Sequence, residues 1–336
     1  MKKYIISFTI CILILVMCIS IGSVSISPAD ALAISLNKLF GIDLSEDIQP
    51  MTVSIFWNIR IPRAIAAFMA GGALAVSGAV MQALLQNPLA SSYTLGVSSG
   101  ASVGAATVII SGITISFLRN IMLPVAGFGF ALITVLFVIG FSSKIDRNVQ
   151  NHTIILTGMV VSLFVSAILT LLSSLFPDHY QQIYFWMMGS FSGRNWMHVA
   201  IMTPVCILIT VILTCFSKEM DILTFGDDQA MAIGVDVGHA KKLLIIISSL
   251  LTGVVVAFTG TIGFIDLVAP HVVRKIFGAR HKVVLPMSFL YGGAFMSIAD
   301  LLARTALAPR EIPVGAITAI IGAPFFAYVY LSKNKR

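Results

Sequence analysis

The sequence predicts an all-α polytopic membrane protein, a single transmembrane domain over 1–336 with about ten transmembrane helices. Three observations support this prediction: hydrophobic residues make up 58% of the chain, charged residues make up only 10%, and long charge-free runs recur from end to end. Soluble proteins carry about 25% charged residues, so a soluble fold is excluded. Basic loops beside membrane spans explain the net charge of +7. Membrane lipid is therefore the predicted surrounding, and nucleic acid is not a predicted partner.

Spans are predicted where charge-free runs approach the roughly 20 residues that cross a bilayer. The first run follows Lys2 and Lys3. It lacks a convincing small-residue cleavage site, so we expect a retained span rather than a removed signal peptide. The run 64–118 is too long for one helix and contains the turn-forming stretch QNPLASSYTLG, so it is predicted to hold two spans. The nine spans found in this way lie in 4–29, 64–118, 120–143, 153–177, 195–217, 243–265, 283–299 and 312–332.

A tenth span is predicted over 263–277, although this stretch is short and carries Asp266, His271 and Arg274. Nine spans would put the basic tails MKK and KNKR on opposite sides of the membrane, whereas positively charged segments stay in the cytoplasm. Ten spans place both termini in the cytoplasm and leave seven of the 21 Lys and Arg residues outside. Lys38 is one of the seven, and the other six are arginines: Arg60, Arg63, Arg119, Arg194, Arg304 and Arg310.

The preference for arginine at the predicted outer face has two interpretations. Arginine forms planar, two-pronged hydrogen bonds with carboxylates, which lysine does not, so these side chains could receive an acidic partner. They could also extend to lipid headgroups or pair locally, as Arg304 could pair with Asp300 four residues earlier on a helix. The residue pattern leaves both interpretations open.

Small residues recur at every fourth position in two of the predicted spans. Such ridges let helix backbones approach closely inside lipid, where packing drives helix association. We therefore expect both ridges to be packing surfaces. They consist of Ala67, Gly71, Ala75 and Ala79 in the second span, and of Gly96, Gly100 and Gly104 in the third.

The chain lacks the features of a self-sufficient transporter. Ion-driven carriers place carboxylates inside their spans, whereas Asp266 and Asp300 lie near predicted span ends. A secondary carrier is thus disfavoured but stays as an alternative. No G-x-x-x-x-G-K-[ST] stretch occurs, so any ATP hydrolysis would take place on another polypeptide. The four cysteines lie in apolar runs without a C-x-x-C pair, so no disulfide, metal site or cofactor is expected.

The longest predicted cytoplasmic loop, 218–242, is polar, mixed in charge and contains three glycines. It is predicted to form two short helices outside the membrane, broken at Gly234. Such a segment could be the docking surface for a motor protein or a solvated connector. The pattern alone does not decide between these two interpretations.

Four blocks of the sequence resemble the FecCD-type permeases, the membrane subunits of ABC importers for iron–siderophores, haem and cobalamin. RIPRAIAAFMAGGALAVSGAVMQALLQNPLASSYTLGVSSGA (60–101) resembles the family signature, and DDQAMAIGVD (227–236) resembles its coupling motif. GTIGFIDLVAPHVVRKIFGARHKVVLP (260–286) and ADLLARTALAPREIPVGAITAIIGAPFF (299–326) resemble its two later blocks. The chain departs from the family pattern at Asp266, where glycine is usual.

This resemblance implies the type II ABC importer permease fold, with ten spans in the bacterial cytoplasmic membrane. It implies as partners a second permease subunit, identical or paralogous, two ATP-binding subunits, and an extracytoplasmic substrate-binding protein. The chain itself would have no catalytic residue, because the ATP-binding subunits hydrolyse ATP. The implied cargo is an iron–siderophore or a related metal chelate, with haem or cobalamin as the alternative.

The resemblance also implies roles for particular residues. The binding protein would dock on Arg60, Arg63 and Arg304, and the ATPase coupling helices would lie at about 219–238. The loop before the fifth span would hold the cytoplasmic gate, whereas His271 and Arg274 are interpreted as structural. The residues implied for coupling are Asp227, Asp228, Ala230 and Gly234, and those implied for the gate are Asn151 and His152.

Overall fold

The computed structural model describes residues 2–22, 26–45, 47–113, 121–146 and 150–333. Arg119, one of the predicted outer arginines, and the tail from residue 334 lie outside the described residues. The described helices are α1 (Lys2–Ser20), α2 (Pro28–Phe40), α3 (Pro50–Ser54), α4 (Ile61–Leu84), α5 (Val97–Ser111), α6 (Met122–Ile145), α7 (Asn151–Leu175), α8 (Tyr180–Met187), α9 (Trp196–Cys215), α10 (Ser217–Leu223), α11 (Asp227–Ala232), α12 (Val237–Thr259), α13 (Ile265–Phe277), α14 (His281–Thr305) and α15 (Val314–Lys333).

The predicted all-α membrane fold is confirmed, and each predicted span coincides with a helix. Seven of the described helices are long and apolar enough to cross a membrane; one of them includes a π-helical turn, Ile55–Arg60, that joins α3 to α4. Two of the remaining predicted spans are short, because α5 has 15 residues and α13 has 13. At 1.5 Å per residue α13 is about 20 Å long, less than the roughly 30 Å hydrocarbon core of a bilayer.

The helix bundle has two ends, which are named here by their residues. The arginine end holds Arg60 and Arg63 at the start of α4, and the loop end holds residues 217–242. The two ends are separated by the length of α4. Gln86, just after this helix, contacts the loop end, where it donates a hydrogen bond of 2.9 Å to the carbonyl of Leu223. The chain starts at the loop end, where the ring of Tyr4 stacks on Phe277 with centroids 5.2 Å apart.

The core forms around α4, in which nearly every residue is buried. This helix packs against α9, α12, α13 and α14. Its small residues permit this, since a Cβ atom at Gly71 would collide with the backbone of Gly292 in α14. Likewise, a Cβ at Gly100 or Gly104 would collide with α6. The prediction that both ridges are packing surfaces is confirmed.

Two described helices between the spans, α2 and α8, were not predicted from the charge-free runs. The first run was expected to continue to residue 29, but α1 ends at Ser20 and a separate helix, α2, follows. Local capping explains why α2 starts at Pro28. The Ser27 hydroxyl accepts a hydrogen bond from the Asp30 amide, and Pro28 occupies the first turn. Gly41 ends α2 with a φ of 72°.

Candidate docking, coupling and translocation sites

At the arginine end, Arg63 lies in a buried ion-pair network. Its Nε and Nη2 atoms lie 3.0 and 2.9 Å from Oδ1 of Asp300, near the end of α14. Its Nη1 lies 2.7 Å from Oε1 of Glu311, in the segment that follows α14. Arg304 lies 3.8 Å from Asp300, as the four-residue spacing predicted, and also donates to the carbonyl of Cys18. The network therefore holds the ends of α1, α4 and α14 together.

The exposure of these arginines differs from the expectation. The docking interpretation calls for accessible arginines, but Arg60 and Arg63 are only 4% and 6% exposed. Arg60 donates to the carbonyl of Ser20 at 2.8 Å. The spacing of the two arginines contains no information about Asp300 and Glu311, which lie far away in the sequence and reach Arg63 only through helix packing. Glu311 is the accessible member of the network, with 39% of its side chain exposed. The docking role of the arginines remains a prediction.

At the loop end, two short helices form as predicted, but the break between them is at a different glycine. Gly226, with a φ of 116°, separates α10 from α11, whereas Gly234, with a φ of 93°, separates α11 from the long helix α12. Gly234 completes a Schellman motif, since its amide donates to Met231 and the amide of Val235 donates to Ala230. Only glycine adopts this backbone conformation at low cost.

Exposed apolar side chains surround α11, although this segment is polar overall. Phe225, Met231 and Ile233 are 71%, 49% and 69% exposed. Of the residues implied for coupling, Asp228 is also exposed and Ala230 is fully buried. Exposed apolar side chains of this kind are candidates for contact with another protein or with the membrane. Phe225, Met231 and Ile233 are called the apolar patch below.

Helices α10 and α11 are tied to the bundle by hydrogen bonds to a histidine and by one ion pair. Asp221 of α10 accepts hydrogen bonds of 2.9 and 2.6 Å from the amide and Nδ1 of His281, at the start of α14. Asp227 of α11 lies 2.6 Å from Nζ of Lys241 in α12. The same Nζ lies 2.6 Å from Oδ1 of Asn151. Lys241 was not singled out by the sequence, because an aspartate and a lysine 14 residues apart form no local pattern.

The two residues predicted for the gate do not lie in a loop. Asn151 and His152 form the first turn of α7. Asn151 is partly buried and bound to Lys241, whereas His152 is exposed. Their gating role is untested by the structure and stays a prediction.

A hydroxyl-lined groove runs along α7. One cavity of about 430 Å³ is lined by hydroxyl groups from α5 and the turn before it, from α7 and from the segment after α12, together with Leu169 and Met187. An adjoining cavity of about 410 Å³ shares these two residues and continues along α7 to α8. The hydroxyl-bearing lining residues are Tyr93, Ser98, Ser99, Ser102, Ser162, Ser166 and Thr261 in the first cavity, and Thr170, Ser173, Ser174, Tyr180 and Tyr184 in the second. Such a wall can donate and accept hydrogen bonds without adding charge.

A second buried polar cluster joins α13 to α4. Ser91 donates to the carboxylate of Asp266, and Gln82 donates to the Asp266 carbonyl at 3.2 Å. Arg274 donates to Gln82 and, at 3.1 Å, to the carbonyl of Ala79. Arg274 therefore satisfies buried polar groups of the bundle, which supports its structural interpretation. Among the described residues, no group of three or more His, Cys, Asp or Glu side chains could hold a metal ion.

Comparison with known proteins covers nearly the whole chain. The sequence model of the FecCD transport family matches residues 10–332. The chain is 39% identical to the Uncharacterized ABC transporter permease protein YvrB of Bacillus subtilis, over 99% of this chain and 94% of that protein. It is 36% identical to the Cobalamin import system permease protein BtuC of Halobacterium salinarum, covering 92% and 80%. It is 34% identical to the Fe(3+)-citrate import system permease protein YfmE of B. subtilis, covering 95% and 92%.

A solved structure shares the fold. It is an ABC transporter in an inward-facing conformation, described as being of the metal-chelate type, and it aligns with a TM-score of 0.84 at 30% identity. The alignment covers 99% of this chain and 100% of that one.

Proposed function

Because the chain belongs to the FecCD transport family, we propose that it imports an iron–siderophore or a closely related metal chelate. Family membership makes it the permease of an ABC importer. What we propose beyond family membership is the identity of the cargo, the partner proteins and the orientation in the membrane. The observation that carries the choice of cargo is the overlap of the whole chain with a transporter described as being of the metal-chelate type.

The groove supports a large, polar cargo. Its hydroxyl groups can hydrogen-bond to many oxygen and nitrogen atoms of a chelate, and its lining residues carry no charge. A path of this kind holds its cargo weakly at many points, so the cargo can move on. The relative named for Fe(3+)-citrate import supports iron as the metal.

Cobalamin is the second candidate, because the relative named for cobalamin import is 36% identical to this chain. The same groove would accommodate it, since cobalamin is also a large metal chelate with amide groups at its edge. Haem is a further alternative from the resemblance.

The partners are proposed at opposite ends of the bundle. The apolar patch and α11 would dock an ATP-binding subunit at the loop end, where Asp227, Asp228, Ala230 and Gly234 lie. The loop end would face the cytoplasm, because the cytoplasmic loops of membrane proteins carry an excess of Lys and Arg. A second permease subunit, identical or paralogous, would complete the path along α7.

The substrate-binding protein would dock at the arginine end, outside the cytoplasm. Its acidic side chains would have to compete with Glu311 for Arg63, because Glu311 is the more exposed of the two carboxylates that Arg63 holds. Arg60 and Arg304 anchor the same surface through carbonyls of α1.

Uptake by the reconstituted complex tests the proposal. The permease, its ATP-binding subunits and its binding protein are placed in liposomes with internal ATP, and four labelled probes are compared: a ferric hydroxamate siderophore, ferric citrate, haem and cyanocobalamin. We expect ATP-dependent uptake of a ferric chelate. Uptake of cyanocobalamin alone would establish the second candidate. Uptake by the permease without ATP-binding subunits would instead identify a secondary carrier.

A further inference from the structure

Lys241 is a fully buried lysine whose amine joins three helices. Its side chain has no solvent exposure, and its Nζ lies 2.6 Å from Oδ2 of Asp227 and 2.6 Å from Oδ1 of Asn151. A buried ammonium needs such partners, because removing it from water is costly unless it is paired and hydrogen-bonded. The three residues are called the Lys241 link below.

The Lys241 link connects the proposed docking segment to the wall of the groove. Asp227 is the first residue of α11, which carries Met231 of the apolar patch. Asn151 is the first residue of α7, which packs chiefly against α5 and α6. Ser162 of the groove lies about 16 Å further along α7, at 1.5 Å per residue.

Both arms of the link depend on the amine. Oδ1 of Asp227 is buried and accepts no hydrogen bond within the described part of the chain, so Lys241 is the compensating charge for this carboxylate. Asn151 is uncharged, and its amide oxygen accepts a hydrogen bond from Lys241. This arm can therefore move with the amine and needs no compensating charge. A shift of α11 that moves Asp227 would therefore move the amine and, with it, the start of α7.

We infer that Lys241 is a positioning residue that couples the position of α11 to the start of α7. When an ATP-binding subunit moves α11, the Lys241 link passes this displacement to the helix that forms one wall of the groove. The inference rests on the proposed function, because it requires a nucleotide-driven partner at the apolar patch.

The rate at which a thiol reagent modifies His152→Cys tests the inference. His152 is exposed at the start of α7, and Cys215, the exposed native cysteine, is first replaced by serine. The complex with its ATP-binding subunits is assayed in nanodiscs with and without ATP. We expect ATP to change the labelling rate about tenfold, within the usual range of coupling between sites. Lys241→Met should abolish this ATP dependence, whereas Lys242→Met, the matched control one residue away, should preserve it.

Asn151→Leu is the second variant, because it removes only the arm to α7 and leaves the Lys241–Asp227 ion pair intact. It should also abolish the ATP dependence. The double variant with Lys241→Met should show no further loss, since both changes break the same connection. If Lys241→Met fails to insert, Asn151→Leu alone decides the question.

The outcomes separate the inference from its premise. If the wild-type complex binds no ATP-binding subunits, the proposed docking at α11 is wrong and the inference falls with it. If the complex binds and hydrolyses ATP but ATP does not alter labelling, the start of α7 does not follow α11, and the inference alone is overturned. If the wild type responds to ATP and Asn151→Leu responds equally, the inference is overturned while the proposed function stands. A lysine that only stabilises the fold would reduce the amount of inserted complex without removing its ATP dependence.

Discussion

A substitution at Gly234 tests the proposed coupling role of α11. The expected loss of binding affinity follows from the backbone geometry of this residue. It ends α11 with a φ of 93°, in the Schellman motif that turns the chain into α12. A Cβ atom at this position would meet nothing within 4 Å. The effect of a substitution is therefore conformational and does not arise from a collision with neighbouring atoms.

The cost of Gly234→Ala can be taken from the left-handed conformation itself. An L-residue in this region costs about 1–2 kcal/mol. If the ATP-binding subunit requires the native turn, its affinity should fall by about 5- to 30-fold, since 1.4 kcal/mol corresponds to a factor of ten. Gly234→Val should weaken binding more, because a β-branched residue tolerates this conformation least. Gly234→Asn should keep most of the affinity, because asparagine is the usual substitute at this position.

The assay measures binding of the purified ATP-binding subunit to the permease in nanodiscs. Gly238→Ala is the matched control: it lies within α12, and its added Cβ would make only an ordinary contact with Asp236 at 3.8 Å. Alanine is favoured over glycine inside a helix by about 0.5–1 kcal/mol, so the control should bind as the wild type does. The reasoning is refuted if Gly234→Ala binds with unchanged affinity, or if Gly238→Ala loses as much.

The other predictions concern the arginine end, the topology and the core. Arg63→Gln breaks a buried ion pair and should lower the stability of the purified permease by about 3–5 kcal/mol in thermal unfolding. Arg310→Gln, at an exposed position, should not. Equal effects of the two variants would contradict the role of the buried ion-pair network in stability. With the exposed native cysteine replaced, an impermeant thiol reagent should label Ala279→Cys only from the cytoplasm and Leu307→Cys only from outside; labelling of both from one side would disprove ten crossings. Gly71→Leu would collide with the backbone of α14 and should abolish the monodisperse peak in size-exclusion chromatography.

The sequence alone predicted the helices and their local relationships. Charge-free length and the balance of basic residues predicted a helix in each of the ten positions, including the short polar helix α13. The four-residue spacing of Arg304 and Asp300 and the small-residue ridge of α4 are also local, and the structure bears both out. These predictions succeed because helix periodicity places residues three or four positions apart on one face.

Only the tertiary structure decided which buried polar groups meet. Arg63 looks accessible in the sequence, but Asp300, separated from it by 237 positions, covers it once α14 packs on α4. Lys241 looks like one of many cytoplasmic lysines, but it is buried between Asp227 and an asparagine separated from it by 90 positions. The reason is physical: hydropathy and periodicity specify a helix and its faces, whereas the partner of a buried charge depends on how separate helices pack. In lipid, that packing is decided by the fit of helix surfaces along their whole length.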